Sequence, residues 1–83
     1  MPTVAIVDGV RIEFYADEHP PPHFHARMAE FVAQIRIEPV TVLKGSLPPN
    51  KLHDVLDWAR QHRTELLEAW NDLAAGRKPS KIK

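Results

Sequence analysis

The spacing of apolar residues changes once along the chain, near Leu47, and this change constrains the fold more than any other feature. Before it, apolar and polar residues alternate with a period of two, as in strands that bury one face. After it, apolar residues recur at i, i+3, i+4 and i+7, as in amphipathic helices. Strands followed by helices predict an α+β domain. We expect an antiparallel sheet of four to five strands over residues 3–43, with one bent or two helices over residues 48–75 packed on it.

Turn residues divide the first half into strands. Asp8-Gly9 is typical of a type I′ hairpin turn, because both central residues of that turn need positive φ. The strands are expected at Thr3–Val7, Val10–Tyr15, His23–Met28, Phe31–Glu38 and Val40–Leu43. Alternation should place one residue set in the core: Val10, Ile12, Phe14, Phe24, Ala26, Met28, Phe31, Ala33, Ile35 and Ile37. His23, His25 and Arg27 then lie on the opposite face.

The second half predicts helix from Pro49 onward, since proline suits the first turn of a helix. The apolar period continues to Ala74, and one helix of about 25 residues would measure roughly 38 Å. That length exceeds a domain of this size, so we expect a break or bend within residues 61–64, with Thr64 as the N-cap of a second helix. Gly76 and Pro79 predict where the helix ends.

Composition narrows the class of protein. The 83 residues suit a single domain, assigned to residues 1–76, followed by a basic tail at residues 77–83. The tail holds four of the eleven basic residues and no acid, so the rest of the chain is net acidic, which argues against duplex DNA binding. Without cysteine, any metal must have nitrogen and oxygen ligands. No leader pattern and no apolar run of about 18 residues is present, so we expect a cytoplasmic protein without membrane association.

The segment of residues 17–27 concentrates groups that bind metals or move protons. It contains three of the five histidines, two acids, an arginine and three consecutive prolines. The prolines fix their own φ and predict a stiff, extended connector at residues 20–22. Because His23 and His25 are two apart on a strand, they could chelate one divalent ion, zinc or iron. His19 is the third candidate ligand, and Glu18 or Asp17 could add an oxygen.

The same segment suits two other functions. In metal-free acid–base chemistry on a phosphodiester, the two strand histidines would share the proton transfers, because imidazole changes protonation between pH 5 and 8. Glu18 or Tyr15 could orient an imidazole, and Arg27 or Arg36 could face the phosphate. Alternatively, the segment is a non-catalytic recognition element, since prolines lose little conformational entropy on binding. The sequence leaves these three functions open.

Several segments together resemble a known family. They are Tyr15, Glu18–Ala26, Gly45–Pro48, Trp58-Ala59, His62-Arg63, Glu65–Leu67 and Trp70. They are similar to the small prokaryotic family called domain of unknown function 4160 (DUF4160), whose loop reads Asp-His-x-Pro-Pro-His-Phe-His. Glu18 stands here in place of the aspartate. The resemblance implies a toxin-like component of a two-gene toxin–antitoxin module, with a small antitoxin-like protein partner and RNA as one target.

Overall fold

The structure, a computed structural model, describes residues 3–82 and has the α+β fold predicted from the sequence. The strands are β1 (Thr3–Val7), β2 (Val10–Glu13), β3 (His23–Met28), β4 (Phe31–Arg36) and β5 (Thr41–Gly45), and the helices are α1 (Pro49–Gln61) and α2 (Arg63–Ala74). The strands lie in the order β1-β2-β3-β4-β5, and each pair of neighbours is antiparallel. The sheet is therefore a simple meander, and the two helices follow it in the chain.

The turn between β1 and β2 is the predicted hairpin. Asp8 and Gly9 have φ values of 50° and 80°, and Val7 pairs with Val10 on either side of them. Lys51 of α1 contacts this turn twice, since its Nζ lies 2.9 Å from the Asp8 carbonyl oxygen and 3.1 Å from the Asp8 carboxylate. The start of α1 is thereby attached to the first hairpin.

The core lies between the sheet and the helices. Alternation placed its strand residues correctly, because Val10, Ile12 and Phe14 are no more than 1% exposed. Fully buried residues on the other strands and on the helices complete it: Phe24, Ala26, Ala33, Ile35, Val55, Ala59 and Leu66. Met28 and Phe31 are only partly buried and pack against this cluster.

Three strands differ from the prediction at their ends. β2 ends at Glu13 rather than Tyr15, because the chain turns at residues 16–17, where Asp17 has a φ of 64°. β4 ends at Arg36: the next amide, that of Ile37, still donates to the Pro22 carbonyl, but Pro22 has no N–H to continue the ladder. β5 begins at residue 41 and continues to Gly45, two residues past the expected end. Residues 20–21 form a bend rather than an extended connector.

The helical half contains the expected break. α1 starts at Pro49 and ends at Gln61, and α2 begins two residues later, so His62 caps both helices. The prediction that Thr64 caps α2 is wrong, because α2 starts one residue before it. His62 supplies the transition: its N–H donates to the Ala59 carbonyl, and its Nδ1 lies 2.7 Å from the Glu65 carboxylate in the first turn of α2.

The segment after α2 returns to the sheet. The Ile82 amide donates to the Val4 carbonyl of β1 at 2.7 Å, and the Pro79 and Ile82 side chains are buried. Pro79 and Ile82, the apolar residues of the basic tail, therefore pack against the rest of the fold. The assignment of the domain to residues 1–76 stays a prediction. Across residues 3–82, neither helix has the length and apolar character needed to cross a membrane.

Candidate metal centre

The site is built from strand β3 and the loop that precedes it. His23 and His25 are two residues apart on β3, so their side chains leave the same face of the sheet. The positive φ of Asp17 turns the chain after β2, and Glu18 then comes to lie against both imidazoles. The histidine side chains are only 7% and 9% exposed, and that of Glu18 is 29% exposed. The three side chains form a largely buried cluster with one more accessible member.

The three side chains converge on a small volume. Glu18 Oε1 lies 2.6 Å from His25 Nε2 and 3.6 Å from His23 Nε2. The potential ligand atoms of all three residues lie within 4.8 Å of one another. The pKa of Glu18 is lowered, mainly because His25 donates a hydrogen bond to it and also because the two imidazoles favour the charged carboxylate. Glu18 is therefore an anion facing two ring nitrogens.

A backbone carbonyl fixes the orientation of His23. Its Nδ1 lies 2.8 Å from the Pro21 carbonyl oxygen. Because a carbonyl only accepts hydrogen bonds, Nδ1 carries the proton, and in the neutral ring Nε2 keeps a free lone pair. This arrangement is typical of metal-binding histidines, which donate their second nitrogen to a carbonyl or carboxylate. Trp70 of α2 packs against the other side of the ring, at 5.3 Å between centroids.

A second network supports His25. Register places Glu13 of β2 directly opposite His25, and the edge of the Tyr15 ring contacts the imidazole at 4.1 Å between centroids. The Tyr15 hydroxyl donates to Glu13 at 3.0 Å and accepts from Arg27 at 2.7 Å. Arg27 also donates to Glu13. Arg27 therefore belongs to the network that holds Tyr15, and no contact joins it to Glu18 within residues 3–82.

The remaining loop candidates lie apart from this cluster. His19 and Asp17 are exposed, and neither belongs to the group of converging ligand atoms. Beside Glu18 lies an open cavity of about 240 Å³. Its lining residues come from the loop and from α2: Tyr15, Asp17, Glu18, Trp70, Leu73 and Ala74. A ligand in this cavity would contact the exposed side of the Glu18 carboxylate.

The comparison with family models covers this whole region. The model described as "Domain of unknown function (DUF4160)" matches residues 9–71. The chain belongs to the DUF4160 family. The matched part extends from β2 into α2 and includes Glu18, His23, His25 and Trp70. Neither the curated proteins nor the solved structures gave a match. DUF4160 names no activity, so the function of this member has to be argued from its site.

Sequence reasoning missed one buried residue of this DUF4160 site. Glu13 is 5% exposed and accepts hydrogen bonds from both Tyr15 and Arg27. The period of two places it on the face of β2 opposite Val10 and Ile12, away from the core. Once β2 and β3 are paired, that face is also the histidine face. A signal was thus present in the sequence, but it depended on the register between the two strands.

Proposed function

We propose that Glu18, His23 and His25 bind a divalent ion, zinc or iron, and that the protein is a metal-dependent enzyme. One observation carries the proposal: two buried imidazole nitrogens and a carboxylate oxygen approach within 4.8 Å of one another. Two histidines and one carboxylate are the ligand set of many catalytic zinc sites and of non-haem iron sites. Histidines that served only as surface polar residues would not need to be buried together beside an anion.

The distances fit such a site. Ligands about 2.1 Å from an ion in tetrahedral geometry are about 3.4 Å apart. The two separations between Glu18 and the imidazoles, 2.6 and 3.6 Å, fall on either side of this value. An ion at His25 Nε2 would displace the proton that this nitrogen donates to Glu18, and in the neutral ring that proton would move to Nδ1.

The surroundings also suit catalysis. Three protein ligands leave coordination positions open, and an ion so held can polarise a substrate oxygen or lower the pKa of a bound water. The cavity beside Glu18 offers space for a substrate, with Trp70 as an apolar wall. The hydrogen bonds of Tyr15 hold its ring against His25, which limits the movement of that imidazole.

The short contact between His25 and Glu18 favours a second candidate function. At 2.6 Å it is a charge-assisted hydrogen bond of the kind that orients a histidine for proton transfer. In this alternative the pair acts as a metal-free acid–base catalyst, with His23 as the second proton-transfer group. Full activity of metal-free protein in the presence of a chelator would favour the pair over the metal.

The biological role proposed for this enzyme is that of a toxin in a two-gene toxin–antitoxin module. Its support is the family resemblance, which also suggests a small antitoxin-like protein partner, RNA as one target and a cytoplasmic location. The alternative is an interaction module without catalysis. Such a module would bind its partner equally well after loss of His23 or His25.

Elemental analysis of protein purified without a histidine tag tests whether the protein binds a metal ion. We expect about one equivalent of zinc or iron per chain, and its loss in His23→Ala, His25→Ala and Glu18→Gln. His53→Ala is the matched control, because the His53 side chain is 81% exposed on α1 and lies outside the cluster. His19→Ala should also keep the metal. Equal metal content in all these variants would refute the site.

Growth measurements test the toxin role. Inducing the gene alone should arrest growth, and the neighbouring gene should relieve the arrest when both are expressed. His23→Ala and His25→Ala should also relieve it while the purified variants keep the native circular dichroism spectrum. Unimpeded growth on induction would count against toxicity but would leave the metal site untouched.

A further inference from the structure

Arg36, at the end of β4, has a buried polar atom without a partner. Its Nε forms no hydrogen bond within residues 3–82. Other arginines of the sheet and helices contact carboxylates: Arg11 and Arg27 contact Glu13, and Arg63 contacts Glu38. An unsatisfied N–H of a charged group lowers stability, and the great majority of buried polar groups are paired. Nε itself has almost no accessible surface, so an acceptor from outside the chain would approach the same guanidinium at its terminal nitrogens.

Strand pairing places this arginine beside the proposed metal centre. Arg36 is directly opposite His23, and Gln34 is directly opposite His25. Residues paired in this way share one face of the sheet, with Cβ atoms about 5 Å apart. The row continues onto β5, where the exposed Lys44 pairs with Gln34. Arg36 and Lys44 thus extend the histidine face with two cations.

The positive charges of Arg36 and Lys44 are not balanced by an acidic residue on their own strands. Neither β4 nor β5 contains an acidic residue. The planar guanidinium of arginine offers several N–H groups at the spacing of phosphate oxygens, and its charge is permanent. A metal ion next to an arginine is also a frequent arrangement for binding phosphoryl groups, because both neutralise the negative charge.

We propose that Arg36 binds a phosphate group of the ligand that occupies the Glu18–His23–His25 centre, and that this ligand is a phosphate ester. The inference rests on the proposed function for the position of the reacting group. The contact with phosphate is made by Arg36 itself and does not require the metal. Two sources offer the same chemistry: a small phosphate monoester such as a nucleotide, and the phosphodiester backbone of RNA.

The test is a nuclear magnetic resonance titration of the full chain labelled with ¹⁵N, observing the arginine Nε–H groups in metal-free protein. The probes are inorganic phosphate, adenosine 5′-monophosphate and a uridine oligonucleotide, with acetate as the control anion. We expect the Arg36 resonance, assigned by its disappearance in Arg36→Lys, to move with phosphate probes and not with acetate. The resonance of Arg60, exposed on α1, should stay in place. Tighter binding of the oligonucleotide would identify a phosphodiester ligand, and tighter binding of the nucleotide a monoester.

Substitutions separate a binding arginine from a structural one. Arg36→Met should leave the melting temperature unchanged or raise it, because it removes a buried N–H that has no partner and breaks no internal hydrogen bond. The same variant should bind phosphate probes roughly tenfold more weakly or worse. Arg60→Met removes an equal charge from an exposed helix position and should bind within about twofold of the unaltered protein.

The result that overturns the proposal is measured on the unaltered protein, so it does not depend on how the variants fold. An Arg36 resonance that stays fixed at saturating concentrations of all three phosphate probes would overturn it, as would an equal response to acetate. Unchanged phosphate affinity in Arg36→Met would do the same. Failure of the metal proposal looks different: in that case Glu18→Gln and the unaltered protein both lack metal, while the Arg36 resonance still responds to phosphate.

Discussion

Replacing Glu18 by glutamine gives the sharpest test of the cluster, because it removes one charge and almost no volume. In metal-free protein the change converts the charged hydrogen bond from His25, 2.6 Å long, into a neutral one. Charged hydrogen bonds contribute about 1.5–3 kcal/mol and neutral ones about 1 kcal/mol. Since the Glu18 side chain is 29% exposed, the lower end of the charged range applies, and the free energy of unfolding should fall by about 0.5 kcal/mol. For a domain of this size, that lowers the melting temperature by about 2–4 °C.

Zinc should enlarge this difference. At a free zinc concentration of about 100 times the dissociation constant, the unaltered protein gains about 2.7 kcal/mol of stability, or roughly 10–20 °C in melting temperature. If loss of the carboxylate weakens binding about tenfold, the gain of Glu18→Gln at the same zinc concentration is only about 1.4 kcal/mol. The zinc-induced shift should therefore be about half as large, or smaller if the loss of affinity is greater.

Thermal unfolding followed by circular dichroism, in EDTA and in zinc, measures both quantities. Asp17→Asn is the matched control, because it removes the same charge from the adjacent residue, which is exposed and outside the cluster. We expect its melting temperature and zinc shift to equal those of the unaltered protein. The reasoning fails if Glu18→Gln keeps the full zinc shift, or if Asp17→Asn loses as much of it.

Three further predictions concern stability. Gly45→Ala should lower the free energy of unfolding in urea by about 3 kcal/mol, because φ is positive there and a Cβ would overlap a backbone carbonyl of β4. Gly9 has a similar φ but open space around it, so Gly9→Ala should lower it by only about 1 kcal/mol. Equal losses in the two variants would contradict this reasoning. Tyr15→Phe removes the hydroxyl between Arg27 and Glu13 and should lower the free energy of unfolding by about 1 kcal/mol. It should weaken zinc binding less than Glu18→Gln does, and calorimetry measures both the unfolding and the zinc binding. Because the pKa of Glu18 is lowered from its ordinary value of 4.5, its carboxylate stabilises the metal-free protein fully above pH 4.5. This stabilisation is lost as the pH falls from 4.5 through the lowered pKa. In unfolding experiments at a series of pH values, the free energy of unfolding of Glu18→Gln should therefore depend less on pH in this range than that of the unaltered protein.

The strand that carries the histidines could be read directly from the sequence. The bounds of β3 agree with the prediction, because a period of two fixes which residues share a face. His23 and His25 were therefore bound to lie together whatever the rest of the fold. The break between the helices was also predictable, since the apolar period alone would give a helix longer than the domain.

The third member of the cluster could not be fixed in the same way. Loop residues have no period, and their directions depend on individual φ and ψ values such as the positive φ of Asp17. The sequence offered His19 as the third metal ligand, with an acid as a further one, but the structure brings Glu18 to the two histidines and leaves His19 exposed. Glu13 depended likewise on register, which the long connection between β2 and β3 does not determine.

The last apolar residue gave no usable signal. Ile82 stands alone among basic residues after Gly76 and Pro79, which predict only the end of the helix. Only the coordinates show that its amide pairs with Val4 and that its side chain is buried.

This pairing makes the two edge strands of the sheet, β1 and β5, differ in how accessible they are to a strand from another molecule. The outer side of β1 is occupied at Val4 by Ile82 of the same chain, so a strand from another molecule meets an obstruction there. At the opposite margin, every residue of β5 is exposed, including Val42 and Leu43. That strand is irregular in register and carries Lys44, two features that discourage copies from joining edge to edge. Addition of a strand from another molecule is thus hindered at β1 by the pairing with Ile82, and at β5 by the irregular register and the charge of Lys44.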